Sequence, residues 1–294
     1  MMRERLHAAG WGYAFISPAL ILVAVFLVLP IGFMLYISLH KWGLLGAPTF
    51  VGLDNFVYLA NDDRFWRSIV NTIFYLVLAV PSQIGLGLFL AILVNKKVLA
   101  REGFRTIFFI PLAISFVAAG ILFTWMFATT PIEGFFPRLL ASVGLEFPRW
   151  QTTDAGWAMV MITLMNTWKS AGYCMIVYLA GLQGINKEWT EAAAIDGVRT
   201  QWQEFRFLTW PLLAPTTFLL VVTTVIFTVR GFEPIFVMTQ GGPAGGTTTL
   251  VYYLFDKFPD TVGIASAAGT VLLVGVLALT LVQFLAQSRR ATYY

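Results

Sequence analysis

The sequence predicts an all-α integral membrane protein with six transmembrane helices in one domain, residues 1–294. Three observations carry that prediction. Hydrophobic residues make up 58% of the chain and charged residues only 12%, at a mean hydropathy of +0.77. An ordinary soluble domain carries about 25% charged residues, so most of this surface must face lipid or another apolar partner. Six runs reach the roughly 20 mostly apolar residues that a helix needs to cross the hydrocarbon core. Lys and Arg, finally, are shared unevenly between the two sets of connecting segments.

The spans are expected near 11–39, 69–94, 104–127, 157–182, 207–229 and 263–286. Arg3, Arg5 and His7 precede the first, as they would in a secretory signal. A signal core holds about 7–15 apolar residues and ends in a small-residue cleavage site, whereas this run is far longer and lacks that ending, so it reads as a retained span. Pro18, Pro30, Pro81 and Pro111 fall inside or near the ends of spans. In a bundle, neighbouring helices can satisfy the carbonyls that each Pro frees. With six spans both termini share a side. Eleven of the 19 basic residues flank that side, including the cluster Lys96, Lys97, Arg101 and Arg105; seven flank the other, and Lys169 lies within a span. An excess of Lys and Arg marks the cytoplasmic face, so both termini and the 183–206 loop are expected in the cytoplasm.

Composition narrows the function. A net charge of +4 with no basic run excludes a nucleic-acid signature, and the ten Trp, ten Tyr and 26 Phe suit membrane lipid and its interface instead. The single cysteine, Cys174, cannot form an intrachain disulfide, and His7 and His40 are far apart. No metal-ligand spacing exists, so no metal and no cofactor are expected.

The most informative segment is the polar island Asn186-Lys187-Glu188-Trp189-Thr190-Glu191-Ala192-Ala193-Ala194-Ile195-Asp196-Gly197. It reads as a short surface helix: Asn186 can cap its start, Glu188 complements the first-turn dipole, and Gly197 can close it in the left-handed conformation. The order Glu191, Ala192, Ala193, then Asp196 and Gly197, then Pro211 opening an apolar run, resembles the EAA motif of bacterial ABC-importer permeases. That family pattern usually ends in Ile-x-Leu-Pro; here Leu208-Thr209-Trp210-Pro211 stands in its place, one residue further from Gly197 than is common.

Further segments strengthen the resemblance. Val51–Phe56 followed by Asn71-Thr72, and Phe104-Arg105 followed by Phe108-Phe109-Ile110-Pro111, look like the second and third spans of carbohydrate-type permeases and their approaches. Thr239-Gln240-Gly241-Gly242-Pro243 with Thr247–Tyr253 resembles the external loop of the MalF/UgpA subunit type. Gly241 and Gly246 have the spacing of a phosphate loop, but Thr247 stands where the lysine that holds phosphate belongs. The stretch therefore reads as a tight turn built on Gly freedom and Pro stiffness.

Lys169 sits near the middle of the fourth span. A charge there costs about 2.5–3.5 kcal/mol on insertion scales, which makes it a functional candidate; the alternative is a structural pairing with a carboxylate or with backbone carbonyls. Asn166, Ser170 and Tyr173 follow at i, i+4 and i+7 and share a helix face, and Thr224 and Thr228 share a face of the fifth span. These residues either line a pathway that offers donors, acceptors and an aromatic surface to a sugar, or hydrogen-bond between packed helices at about 0.6 kcal/mol each.

The resemblance implies a type I ABC-importer permease fold with a cytoplasmic coupling helix, in the bacterial plasma (inner) membrane. It also implies a second, non-identical permease, two ATPase subunits and a periplasmic or lipid-anchored substrate-binding protein. The chain itself would have no catalytic residue. The cargo implied is a carbohydrate, a related polyol or a glycerol phosphate. An ion-coupled secondary carrier would need intramembrane carboxylates, of which the spans hold essentially none, Glu233 lying at a span end. A membrane-embedded enzyme would need a His/Asp/Glu constellation at span depth.

Overall fold

The computed structural model describes residues 15–43, 45–95, 101–258 and 260–288. The start of the first expected span, and the basic residues Arg3, Arg5, Lys96, Lys97, Arg289 and Arg290, lie outside the described residues. In chain order the elements are α1 (Phe15–Ser38), β1 (His40–Gly43), β2 (Leu45–Phe50), α2 (Asp54–Ala60), α3 (Asp63–Asn95), α4 (Arg101–Ala113), α5 (Phe116–Met126), α6 (Phe135–Ala141) and α7 (Ala155–Gln183). There follow α8 (Lys187–Ile195), α9 (Gln201–Leu212), α10 (Ala214–Val229), α11 (Glu233–Met238), α12 (Leu250–Lys257) and α13 (Val262–Ser288). Among the described residues the one β element is the antiparallel hairpin β1–β2, with His40 opposite Phe50 and Lys41 opposite Thr49.

Every expected span has a helical counterpart, but not every one is a single straight helix. Three helices, α1, α3 and α13, are long and apolar enough to cross a membrane, and five crossings result if each bent pair counts as one. The third expected span is α4 plus α5, bent by 99°, and the fifth is α9 plus α10, bent by 64°. The fourth, α7, has 29 residues but falls short in hydropathy because Asn166, Lys169, Ser170 and their neighbours dilute it. Its burial resolves the paradox. Met159, Ile162, Met165, Cys174, Met175 and Tyr178 are all fully buried, so one face of α7 packs against protein, while Trp157, Leu164 and Ile176 stay exposed.

The described residues fall into two compact units. The first comprises those of Met1–Asp62 and Tyr253–Val274. Here α1 and the start of α13 run antiparallel: Gly263 packs so closely on the His40 carbonyl that a Cβ would overlap it, and Gly269 faces the Met34 sulfur. Asn55 fastens the hairpin by donating to the carbonyls of Ser38 (2.8 Å) and His40 (2.9 Å). Lys257 lies 3.8 Å from Asp62 and donates to the Tyr58 hydroxyl at 3.0 Å, and Tyr253 donates to Asp62 at 2.7 Å.

The second unit comprises the described residues of Asp63–Tyr252 and Gly275–Tyr294. Its centre is α3 packed along α7. Tyr75 meets Asn166, and Gly87 backs onto Cys174 and Met175, so the two helices run parallel. Gly181 meets Thr216 and Leu213, and Tyr178 meets Thr217, so α10 returns antiparallel to α7. The core gathers Tyr75, Phe123, Trp150, Met159, Ile162, Met165, Ile235 and Met238.

Candidate functional site

The polar island folds as the sequence reading expects. Asn186 accepts a hydrogen bond from the Glu188 amide at 3.2 Å, and its own amide donates to Glu188 Oε2 at 3.1 Å. At the other end Gly197 takes φ +95°, with Val198 N–H donating to Ala193 O and Gly197 N–H to Ala194 O. That pair of bonds is a Schellman closure, which satisfies carbonyls that a helix end otherwise leaves free. No residue of α8 is buried, and Ile195 is 86% and Trp189 51% exposed. Glu191, Ala192 and Asp196 are exposed and Ala193 half-buried. Both apolar side chains are thus largely uncovered by the described residues of their own chain.

Beyond Gly197 lies a feature the sequence reading passed over. Thr200 and Gln203 form a reciprocal capping box that starts α9: Gln203 N–H donates to Thr200 Oγ1 at 3.2 Å, and Thr200 N–H to Gln203 Oε1 at 3.1 Å. The Thr-x-x-Gln spacing is the signal that would have found it. The helix then widens into a π turn at Phe205–Thr209 before Pro211. An i→i+5 turn takes up one residue more than an α turn.

The mid-span polar residues lie in the second unit, and among them only Asn166 and Ser170 bond one another. Asn166 is 6% exposed, donates to the Tyr75 hydroxyl at 2.6 Å and accepts from Ser170 at 3.2 Å. Thr224 is bonded to Leu220 O on its own helix. Thr228 is buried and its Oγ1 has no partner among the described residues, as is true of Gln83 Nε2 on α3. Ser170 and Tyr173 are half-buried, and the Tyr173 ring meets Phe227 edge-on at 6.5 Å. Lys169 is 4% exposed, with its ammonium 3.1 Å from Leu112 O and 3.5 Å from Pro111 O, and over the Phe116 ring at 4.5 Å. Tyr75, Gln83, and the Ser82–Thr167 hydroxyl pair at 2.7 Å were not singled out in the sequence, since a lone polar residue in an apolar run does not announce its partner.

At the other end of α3 and α7 sits the Gly-rich turn. Asn71 Nδ2 donates to Gly245 O and Thr248 O, both at 3.0 Å, and Leu250 N–H donates to Thr72 Oγ1 at 2.9 Å. Thr247 bonds Gly242 O, and Thr248 bonds Gly241 O. The Gly and Thr groups of this turn thus hold the turn itself. Because α3 and α7 are parallel and α10 antiparallel, this turn and the α8 segment lie at opposite ends of the second unit.

A helical membrane unit with an exposed, doubly capped helix at one end and an ordered Gly-rich turn at the other is the architecture of an ABC-importer permease. Over residues 83–291 the chain matches the binding-protein-dependent transport system inner membrane component family, and it belongs to that family. It is 37% identical to the lactose transport system permease protein LacF of Rhizobium radiobacter over 286 residues, covering 95% of this chain and 94% of that one. It is 35% identical to the sn-glycerol-3-phosphate transport system permease protein UgpA of Agrobacterium fabrum, covering 96% of each. A probable ABC transporter permease of Pyrococcus horikoshii is 38% identical over 272 residues, covering 91% of this chain and 92% of its own. In structure the chain is similar to one from the bacterial alginate ABC transporter in complex with alginate pentasaccharide-bound periplasmic protein, with TM-score 0.83 and 27% identity, covering 99% and 98% of the two chains. The fold is that of a type I ABC-importer permease.

Proposed function

We propose that this chain is one of two non-identical permeases that together form the pathway of a bacterial carbohydrate importer, its cargo being a sugar, a related polyol or a glycerol phosphate. The observation that carries the reading is α8: a helix capped at both ends, unburied on its own chain, with Trp189 and Ile195 exposed. Glu191, Ala192, Ala193, Asp196 and Gly197 would seat it in one of two ATPase copies, and a periplasmic or lipid-anchored binding protein would deliver cargo at the opposite end. Six crossings, counting each bent pair as one and α7 as one, would leave both termini cytoplasmic. The chain would catalyse nothing itself. Closure of the ATPase dimer would push α8, and α9 and α10 would carry the push to the pathway.

Within the pathway, Ser170 and Tyr173 are the half-buried groups that can turn toward cargo. Asn166, Thr224 and Thr228 would stand behind them. The relatives' cargo, lactose in one case and sn-glycerol 3-phosphate in another, supports a small polyhydroxyl molecule. Two measurements test the reading. Affinity purification of the tagged chain from its native membrane is expected to bring down an ATP-hydrolysing subunit and a second permease; recovery of the chain alone, in a detergent that preserves other importers, would sink it. Thermal shift of the cognate binding protein against lactose, oligosaccharides and glycerol 3-phosphate is expected to single out one of them.

A further inference from the structure

We propose that Lys169 is a positioning residue that sets the angle between α4 and α5, and that it does not ligate cargo. The break between those helices creates a specific need. α4 stops at Ala113 and the chain turns at Ser115, which has extended backbone (φ −64°, ψ 152°) and caps α5 by accepting from Ala118 N–H at 3.1 Å. The N-terminal end of α5 is therefore served from within its own chain segment. Pro111 O keeps a tightened backbone bond, accepting from Ile114 N–H at 3.3 Å, but the break at Ser115 takes from Leu112 O the donor that would follow it in an unbroken helix, and in a membrane interior no bulk water replaces that donor.

Lys169 reaches these carbonyls from α7. Its ammonium donates to Leu112 O at 3.1 Å and lies 3.5 Å from Pro111 O, while the Phe116 ring, on the far side of the break, sits 4.5 Å away. A single cation thus touches the last turn of one helix and the first residue of the next. An ammonium has three N–H groups. Two carbonyls and an aromatic face account for them, and among the described residues no carboxylate is a partner. The C-terminal end of α4 carries the negative pole of its helix dipole, which makes a cation the suitable cap there. Close approach of the two helices makes this reach possible: Gly172, one turn further along α7, lies so near the Phe108 carbonyl that a Cβ would overlap it. With both sides of the break tied to Lys169, α5 leaves at 99° and can pack Phe123 against the Trp168 ring at 5.4 Å.

The importer reading gives the bend a purpose, but the test reads the bend itself, so the two can fail separately. Spin labels are placed at Ile107 on α4 and Ile121 on α5, both exposed, in the complete transporter reconstituted in nanodiscs, and their distance distribution is measured by pulsed electron paramagnetic resonance. Wild type is expected to give one narrow distribution. Lys169→Met should broaden it at least twofold, and Lys169→Arg, which can donate to the same carbonyls, should narrow it again. The maximal ATPase rate stimulated by loaded binding protein should fall several-fold in the Met variant, with the half-saturating concentration of that protein unchanged. A Met variant with the wild-type distribution overturns the proposal, as does an unchanged distribution accompanied by altered half-saturation. If the Met variant does not assemble, rescue of assembly by Lys169→Gln or Lys169→Arg is the expected result, and failure of both donor variants overturns the proposal.

Discussion

At the scale of single residues, glycines decide where helices can turn and where they can touch. Gly197 is a turning glycine. At φ +95° a side chain costs about 1–2 kcal/mol, and no atom stands within 4 Å of its absent Cβ, so the penalty is conformational rather than steric. Gly197→Val is expected to distort the exit of α8, so that ATP hydrolysis no longer responds to loaded binding protein, while Glu191→Ala, which removes only an exposed charge, has a milder effect of the same kind. Wild-type stimulation in the valine variant would refute the coupling role of the segment. Gly87 is a touching glycine. Its missing Cβ would overlap the Cβ of Cys174, whereas Gly85, two residues earlier on the same helix, faces open space. Gly87→Val should reduce the yield and thermal stability of the purified complex, and Gly85→Ala should leave both unchanged; equal effects would mean that α3 and α7 do not pack as described. The two kinds of glycine differ in how far sequence reveals them. Gly197 follows a capped helix at a regular distance, a local signal. Gly87 owes its role to a residue 87 positions away, and nothing near it in the chain says so. The same holds for Tyr75, whose hydroxyl accepts from Asn166. Tyr75→Phe is expected to leave that amide short of a partner and to cost about 1–3 kcal/mol of stability, read as a lower thermal midpoint of the complex.

At the scale of elements, apolar length announces a span but not its shape. The runs at 69–94 and 263–286 became the single helices α3 and α13, because lipid-facing apolar residues and an unbroken backbone are enough to specify them. The run at 104–127 became two helices. The Ile114–Ser115 break interrupts no hydrophobicity, and the residues that stabilise it, Lys169 and Ser115, are a distant lysine and a serine that reads like any other. In α9 the spacing before Pro211 reads in the sequence as one residue longer than the resembled pattern, and the π turn at Phe205–Thr209 lies within that interval. If the π turn stores one surplus residue, deleting Leu208 should convert it to α geometry and keep the registers on either side. The deletion variant is then expected to assemble with normal yield and retain stimulated ATPase, whereas inserting one alanine at the same point should uncouple. Equal damage from both changes would show that the π turn has a role of its own.

At the scale of the whole molecule the question is which ends face the cytoplasm, and two independent local geometries bear on it. In the first unit α1 and the start of α13 run antiparallel, as Met34 facing Gly269 and His40 facing Gly263 require, so the chain enters α1 and leaves α13 on the same side. In the second unit α3 and α7 run parallel, so residues 96–154 must make one net crossing between them. At about 1.5 Å per residue the 13 residues of α4 cover roughly 20 Å, short of the 30 Å hydrocarbon core, and α5 with the segment after it must supply the rest. An odd number of crossings there, with α10 antiparallel to α7, is what the expected six spans require within the second unit, and six spans would put both termini on one side. In that expected topology the excess of basic residues on the flanks of α8 and of both termini would make this side the cytoplasmic one. A periplasm-active reporter fused after Tyr294 is expected to be silent, and one inserted in the exposed Gly144 turn to be active. Strong activity at Tyr294, or silence at Gly144 in a stably expressed fusion, would mean that α4 and α5 do not together make one crossing, and the six-span topology would fall with it.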